Sequence, residues 1–270
     1  MLKKTNRQFS IHRIGYPYAR TFDKDFKYDG QSHDFAEAVY IDKGEMEVVE
    51  EGNIYILRSG DMIFHAPLEF HKLRSTGRMV SRVYNISFST HGEPPPNLFG
   101  GVFRLDINEQ NEFLQIHKMV EDYVEDKNTN SFFGQNTADS LSAFIIRLCI
   151  NNNLNIHLSG DSGAQHFKRF VDTMNKCLYD NLSLEELAKI NNISVSYAKV
   201  LFYRYADISP KKYYMTLRLN EAIRLVQSGM ALTEISEKMN FSSLNYFSLF
   251  FKKHTGKTPT EYRHKMQNKE

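Results

Sequence analysis

The sequence predicts an α+β multidomain protein, with a β-barrel in its N-terminal half and an all-α domain in its C-terminal third. Short apolar runs separated by turns recur between about residues 11 and 105, a pattern typical of a sandwich or barrel. After residue 165, apolar residues recur every three or four positions, as on amphipathic helices. We therefore expect a barrel over 1–107, a helical segment over 108–150, a linker over 151–164 and a helical domain over 165–270.

The strand candidates of the N-terminal half are short runs rich in Val, Ile, Tyr and Phe. They cover residues 37–41, 46–50, 53–57, 61–65 and 82–88. Turns containing Gly44, Gly52 and Gly60 separate the first four. The run of three prolines within residues 91–97 ends the pattern, because proline has no amide hydrogen for a strand ladder.

The segment over 108–150 has helical spacing. Its apolar residues are Phe113, Ile116, Val120 and Val124, followed by Leu141, Phe144, Ile145 and Leu148. Such a stripe is more often intramolecular core, because every surface helix needs an apolar face. The polar residues 151–164, which include two glycines, are typical of a linker.

Composition excludes several classes of protein. Two cysteines, Cys149 and Cys177, are too few for a disulfide framework and lack the spacing of a metal motif. The first residues contain no apolar run of the signal-peptide kind, and no stretch of the chain could span a membrane. We therefore expect a cytoplasmic protein without a membrane partner.

Charge is distributed unevenly along the chain. Residues 1–164 contain 17 Lys and Arg against 22 Asp and Glu, whereas residues 165–270 contain 17 against 10. A basic C-terminal third indicates an anionic partner for that part, although an ordinary solvated surface would also account for it.

The C-terminal third contains an internal repeat, with residues 184–213 matching residues 232–262. Leu184, Leu187 and Ile193 correspond to Leu232, Ile235 and Phe241 at an offset of 48 residues. Tyr197, Leu201, Phe202, Pro210 and Tyr213 correspond to Tyr246, Phe250, Phe251, Pro259 and Tyr262 at an offset of 49. A duplicated unit of this length indicates two copies of one supersecondary motif.

Each copy has the parts of a helix-turn-helix. Ser183 and Glu186 predict a capping box for the first helix of copy one, and Thr233 with Ser236 predicts a weaker start in copy two. An asparagine-containing turn follows in each copy. The second helices are expected to begin at Ser194 and Ser242 and to end at Asp207 and Gly256. Their inner faces are expected to carry Tyr197, Ala198, Leu201, Phe202 and Tyr205 in copy one, and Tyr246, Phe247, Phe250 and Phe251 in copy two.

Residues 210–226 predict one helix between the two copies, with Pro210 in its first turn. Seventeen residues at about 1.5 Å each give a spacer of roughly 25 Å. Two second helices joined by such a spacer could enter successive major grooves of a DNA duplex, whose repeat is about 34 Å. A helical bundle in which the repeat only packs is the alternative.

The C-terminal third resembles the DNA-binding domain of AraC-type (AraC/XylS) transcription regulators from about His166 to Arg263. Its markers are R-L-N-E-A over 218–222, N-Y-F-S-L-F-F-K-K over 245–253 and H-T-G-K-T-P-T-E-Y-R over 254–263. The resemblance implies that the second helix of each copy lies in the major groove of double-stranded DNA.

The residues implied to face DNA are Ser196, Lys199, Val200, Tyr203, Asn245, Ser248, Leu249 and Lys252; Arg204, Lys211 and Lys253, together with Lys252, are interpreted as phosphate contacts. The chain departs from the family at Leu249, where an arginine is common, and at Tyr203, where a lysine is frequent. Because leucine cannot donate hydrogen bonds to guanine, copy two is expected to contribute more to affinity than to sequence choice.

The N-terminal half resembles, more loosely, the cupin β-barrel over about residues 11–105. Cupin enzymes bind a metal through a histidine–glutamate set, but Gln31 and Ile63 replace two expected histidines. His33, Glu37, His65 and His71 remain, and they serve either as polar anchors for a small-molecule effector or as structural residues of the barrel. Because neighbouring side chains alternate between strand faces, His65 and His71 are not required to meet His33 and Glu37. We assign no metal and no cofactor.

The resemblance implies a transcription regulator rather than an enzyme: an activator that acts as a homodimer on promoter DNA and engages RNA polymerase. It also implies that residues 108–150 form the dimer interface or couple the two halves of the chain. A small molecule bound in the barrel would control it. Two alternatives stay open. One is a metal-dependent cupin enzyme with an accessory DNA-binding domain; the other is a regulator whose barrel only dimerises or binds a partner protein.

Overall fold

The computed structural model describes residues 8–28, 30–125, 131–151 and 161–267. The chain divides into two compact units, Met1–Ser159 and Gly160–Glu270. Within the described ranges, no helix combines the length and the apolar character needed to cross a membrane.

Nine strands form the described β-structure of the N-terminal unit. They are β1 (Phe9–Ile14), β2 (Tyr18–Phe22), β3 (Ala36–Lys43), β4 (Glu45–Glu50), β5 (Asn53–Arg58), β6 (Asp61–His65), β7 (His71–Ser75), β8 (Ser81–Gly92) and β9 (Val102–Arg104). One antiparallel sheet has the order β1-β8-β3-β6-β9, with β2 also paired to β8, and a second has the order β5-β4-β7. The predicted β-rich N-terminal half is thus confirmed as two antiparallel sheets.

Both faces of the larger sheet are buried, because alternate residues of its strands point to opposite sides. On one side, Val39, Ile41 and Ile63 pack with Val48 and Leu57 of the smaller sheet. On the other side, Ala38, Tyr40, Met62 and Phe64 form a core with two helices.

These helices are α1 (Ile107–Glu125) and α2 (Ser131–Asn151). The predicted stripe residues Phe113, Ile116 and Val120 are buried in the core beneath the larger sheet, as are Leu141 and Phe144. The stripe is therefore intramolecular core, which leaves it unavailable as a dimer surface.

The C-terminal unit is all helical over its described residues. It contains α3 (Ser162–Lys176), α4 (Leu184–Ile190), α5 (Val195–Tyr205), α6 (Pro210–Gln227), α7 (Leu232–Lys238), α8 (Leu244–Thr255) and α9 (Pro259–Gln267). Helix α3 begins inside the range predicted as linker, capped by Asp161. Of the rest of that predicted linker, Asn151 is the last residue of α2, and residues 152–160 lie outside the described residues.

Local sequence sets most of these helix boundaries. The capping box of Ser183 and Glu186 is present, and Ser194 and Ser243 cap the second helices of the two copies. The turns place Asn192 and Asn240 at φ 55° and 54°, a left-handed conformation that asparagine tolerates better than most residues.

Two predicted starts in copy two were wrong. Helix α7 begins after Ala231, whose side chain makes no cap hydrogen bond, rather than at Thr233. Helix α8 is capped by Ser243 instead of Ser242. Since neighbouring serines offer the same cap chemistry, the backbone geometry of the turn decides between them.

Candidate DNA interface and buried histidine–glutamate cluster

Helices α5 and α8 present the residues predicted to face DNA. Their side chains are exposed at Ser196, Lys199, Val200, Tyr203, Arg204, Asn245, Leu249, Lys252 and Lys253, half-buried at Ser248, and exposed at Lys211 on α6. Leu249 is 59% exposed, so it is not part of the domain core.

The opposite faces of both helices are buried. Ala198, Leu201, Phe202 and Tyr205 of α5 are in the core, and so are Phe247, Phe250 and Phe251 of α8. An apolar face on one side and an exposed polar face on the other fix how each helix is rotated. The placement of the predicted DNA-facing residues on one side of each helix follows from this rotation.

Tyr246 does not lie on the buried face, and its prediction as a core residue was wrong. It is 55% exposed, and its ring lies 6.0 Å from that of the half-buried Phe241. The equivalent Tyr197 is half-buried because α3 covers it: its hydroxyl lies 3.1 Å from Nδ1 of His166. The two positions match in sequence but differ in the neighbour that each meets.

Arg204 has an intramolecular partner on the same surface. Its Nη2 lies 2.8 Å from Oδ2 of Asp161, the residue that caps α3. The side chain of Arg204 is 59% exposed and that of Asp161 is 50% exposed. An exposed pair of this kind contributes less than about 1 kcal/mol, so a phosphate could compete for the guanidinium.

Sequence reasoning missed Arg218 as a structural residue. This arginine is fully buried on α6, and its Nη2 donates to the carbonyl oxygen of Met239 over 2.6 Å. Its guanidinium also lies 5.1 Å from the ring centre of Phe241. The sequence signal for its burial is its position one helical turn from Tyr214 and one from Ala222, which both lie on the buried face of the helix.

The four predicted effector residues come together in the N-terminal unit. The register of β3 with β6 places Glu37 opposite His65, and an isolated bridge pairs Gln31 with His71. The rings of His65 and His71 stack with their centres 4.1 Å apart. Strand alternation did not require His65 and His71 to meet His33 and Glu37. They meet because the two sheets approach each other here, so that His71 contacts both Glu37 and His33 and stacks on His65.

Glu37 lies between two imidazoles. Its Oε2 is 3.3 Å from Nε2 of His33 and 3.3 Å from Nε2 of His71. Burial alone would raise the pKa of the Glu37 carboxyl, but the two histidines outweigh burial and hold that pKa well below its usual range. Glu37 is therefore ionised.

The other nitrogen of each ring fixes the tautomer. Nδ1 of His33 lies 2.8 Å from the carbonyl oxygen of Phe35, and Nδ1 of His71 lies 3.1 Å from that of Glu69. A carbonyl oxygen only accepts hydrogen bonds, so each Nδ1 carries the hydrogen. Burial lowers the pKa of His71 to about 4.

A second acidic group adjoins the first. Nδ1 of His65 is 2.7 Å from Oε1 of Glu50, and the backbone amide of Ala66 donates to Oε2 of Glu69 over 2.8 Å. Burial raises the pKa of both carboxyls, and for Glu69 the charge of Glu50 raises it further. Burial lowers the pKa of His65 to about 4.

The donor atoms of this cluster fit a metal ion. His33, Glu37 and His71 each offer one ligand atom within 4.8 Å of the others, and so do Glu50, His65 and Glu69. Two imidazoles and a carboxylate are a donor set used for Zn²⁺ and other first-row transition metals. Nδ1–H bonded to a carbonyl is also the usual arrangement behind a metal-binding imidazole.

The C-terminal third matches known proteins. A family described as a helix-turn-helix domain covers residues 187–265. The uncharacterized HTH-type transcriptional regulator YobQ of Bacillus subtilis is 36% identical over 87 residues, which are 32% of this chain and 36% of that protein. The chain thus spans little more than a third of the length of this curated relative.

Two further similarities extend this picture. The HTH-type transcriptional activator RhaR of Mannheimia succiniciproducens is 22% identical over 241 residues, covering 86% of this chain and 85% of that protein. A solved AraC-type DNA-binding-domain protein from Chromobacterium violaceum is 31% identical, covers 38% of this chain and 95% of its own, and superposes with a TM-score of 0.35. In agreement with the repeat and the helix caps, residues 187–265 of this chain are therefore similar to a family of helix-turn-helix domains.

Proposed function

We propose that the chain is a sequence-specific DNA-binding transcription regulator that works in the cytoplasm and has no enzymatic activity of its own. The observation that carries this proposal is the pair of helices α5 and α8, each with one buried face and one exposed face at matching positions of the repeat. Two such helices in one domain give a single chain two elements that can contact bases in the major groove.

Helix α6 sets the separation of these elements. Its 18 residues give a rod of about 27 Å at roughly 1.5 Å per residue. Arg218, at the middle of this rod, joins it to the turn that precedes α8 through the carbonyl of Met239. A rigid connection of this length supports insertion of α5 and α8 into successive major grooves, with some bending of the duplex.

Cations around the two exposed faces support a polyanionic partner. Lys199 and Arg204 lie on α5, and Lys252 and Lys253 lie in the last turn of α8. Phosphate contacts by such side chains release counterions, so binding weakens as salt increases. The test is selection of bound duplexes from a random library by the full chain, followed by affinity measurements at several salt concentrations. Failure to enrich any sequence, or binding independent of salt, would contradict the proposal.

The cluster of His33, Glu37, His65 and His71 is proposed as the effector site. Glu37, His65 and His71 are buried and His33 is half-buried, and few and well-placed polar groups of this kind give a ligand its specificity. An effector controls DNA binding only through different affinities for two conformations of the regulator. Transcription activation, homodimer formation and engagement of RNA polymerase are part of this proposal.

A divalent metal ion is a second candidate for the effector. It is favoured by the convergence of the Glu37 carboxylate with Nε2 of His33 and Nε2 of His71. The same donors would serve the alternative of a metal-dependent cupin enzyme. Elemental analysis separates these readings from an organic effector, and a metal that alters DNA affinity identifies a regulator rather than an enzyme.

A further inference from the structure

The sixth residue of α5 and the sixth residue of α8 are both exposed aliphatic side chains. Val200 is 60% exposed and Leu249 is 59% exposed. They are 49 residues apart, which is the offset of the repeat. The next residues in the chain, Leu201 and Phe250, are buried. Intramolecular packing therefore does not account for an aliphatic residue at either position.

Polar and cationic side chains surround each of these two residues. On α5, the positions four before and four after Val200 are Ser196 and Arg204. On α8, the corresponding positions around Leu249 are Asn245 and Lys253. Residues four apart share one face of a helix, so each aliphatic side chain lies at the centre of a surface suited to a polyanion.

The major groove of DNA offers one apolar group among its four standard bases. This group is the C5 methyl of thymine. An aliphatic side chain placed against guanine or cytosine would separate polar base atoms from water without replacing their hydrogen bonds, which is unfavourable. Against thymine, the same side chain buries a methyl group and gains the hydrophobic contribution of that contact.

We propose that Val200 and Leu249 each contact the C5 methyl of a thymine, one in each of two successive major-groove segments. The inference rests on the proposed function and adds to it the chemical identity of two bases in the bound site. It gives α8, which lacks an arginine at this position, a share in sequence choice. The two thymines are expected about 10 base pairs apart, one turn of the duplex.

The experiment uses the full chain and a duplex selected by it from a random library. Each thymine of that duplex is replaced in turn by deoxyuridine, which keeps base pairing and removes only the methyl group. Replacement at two positions about one helical turn apart should raise the Kd about fourfold each, the loss of roughly one buried methyl. Replacement of the other thymines should leave the Kd unchanged.

Two variants assign the methyl groups to the side chains. Leu249→Ala should abolish the effect of deoxyuridine at one position, and Val200→Ala should abolish it at the other. Ile190→Ala is the matched control, because Ile190 is also an exposed aliphatic residue, 57% exposed, but lies on α4. This variant should keep both effects, and thermal unfolding should show that all three variants remain folded.

Each result separates this inference from the proposed function. Specific binding without any effect of deoxyuridine overturns the methyl contacts and leaves the DNA-binding regulator intact. Effects that persist unchanged in both Val200→Ala and Leu249→Ala overturn the assignment to these side chains. A library selection that enriches no sequence overturns the proposed function, and the inference with it.

Discussion

The buried guanidinium of Arg218 donates from Nη2 to the carbonyl oxygen of Met239 over 2.6 Å. This hydrogen bond joins the connecting helix α6 to the turn between α7 and α8. Residues in the turn of a helix-turn-helix determine the direction of its second helix. Arg218 therefore contributes to the direction of α8 without lying on the surface proposed to face DNA.

Arg218→Met should destabilise the C-terminal unit by about 3 kcal/mol, because it removes a charged hydrogen bond and leaves the buried carbonyl of Met239 without its donor. Urea denaturation followed by far-ultraviolet circular dichroism measures the loss. Arg224→Met makes the same chemical change on the same helix, at an exposed side chain paired with Glu221. Its effect should stay below about 1 kcal/mol. Equal losses in the two variants would contradict a special role for Arg218.

Lys252→Ala and Lys253→Ala should each weaken binding to all duplexes by a similar factor and reduce the slope of log affinity against log salt by about 1. The reason is that a lysine on phosphate releases about one counterion whatever the base sequence. Lys176→Ala, an exposed lysine in the last turn of α3, provides the control and should leave the slope unchanged. An unaltered slope in the two α8 variants would show that these lysines do not contact phosphate.

Leu249→Arg should keep the fold and change the preferred base at one position from thymine to guanine. An arginine there can donate two hydrogen bonds to guanine, worth about 1–3 kcal/mol of discrimination. A repeated library selection reads the preference, and the midpoint of thermal unfolding reads the fold. Because Leu249 is 59% exposed, unfolding of the variant would mean that the rotation of α8 described above is incorrect.

The acidic pair Glu50 and Glu69 should lower stability as pH rises above about 6.5. Burial raises both pKa values above the ordinary 4.5, so the folded chain keeps protons that the unfolded chain releases. Below pH 6.5, His65 and His71 act in the opposite direction, because their folded pKa of about 4 lies below the ordinary 6.5. The window between pH 6.5 and about 8, the raised pKa of Glu50, therefore isolates the carboxyl groups.

Glu50→Gln should make the decline of the urea midpoint above pH 6.5 shallower, because it removes one member of the pair. Glu93→Gln, at an exposed carboxylate, is the control and should retain the decline of the unmodified chain. A decline of the same steepness in Glu50→Gln and in the unmodified chain would contradict the raised carboxyl pKa.

Zn²⁺ added to the metal-free chain should raise the midpoint of thermal unfolding, by an amount equivalent to about 2.7 kcal/mol at a hundredfold excess over its Kd. His71→Ala removes one of the three converging ligand atoms and should abolish most of this stabilisation. His12→Ala, which removes a histidine stacked on His91 outside the cluster, should not. Stabilisation that survives in His71→Ala would place the ion elsewhere.

Sequence predicted the C-terminal domain well, because its determinants are local or repeated. Ser183 with Glu186, Ser194 and Gly256 set helix ends through contacts within one turn of chain. The repeat then supplied a second sample of the same apolar pattern. Where the neighbour differs between copies, as for Tyr197 and Tyr246, the pattern failed, because exposure depends on what packs against each residue.

The histidine–glutamate cluster could not be predicted in the same way. His33, Glu37, His65 and His71 were recognised as polar residues in apolar strands, but their meeting depends on the register of β3 with β6 and on the approach of a second sheet. Both are non-local relationships. Glu50 and Glu69 were not singled out at all, since isolated glutamates in a strand and a turn carry no distinctive spacing.

The two copies of the repeat differ at every position predicted to face DNA. Ser196 corresponds to Asn245, Lys199 to Ser248 and Val200 to Leu249. The pair of helices α5 and α8 in a single chain therefore lacks two-fold symmetry. If the bound site were inverted, each helix would lie against the bases that the other helix recognises. On the proposed function, the bound chain has a defined polarity along the duplex. The orientation of one site in a promoter would then determine the direction of transcription that the site serves.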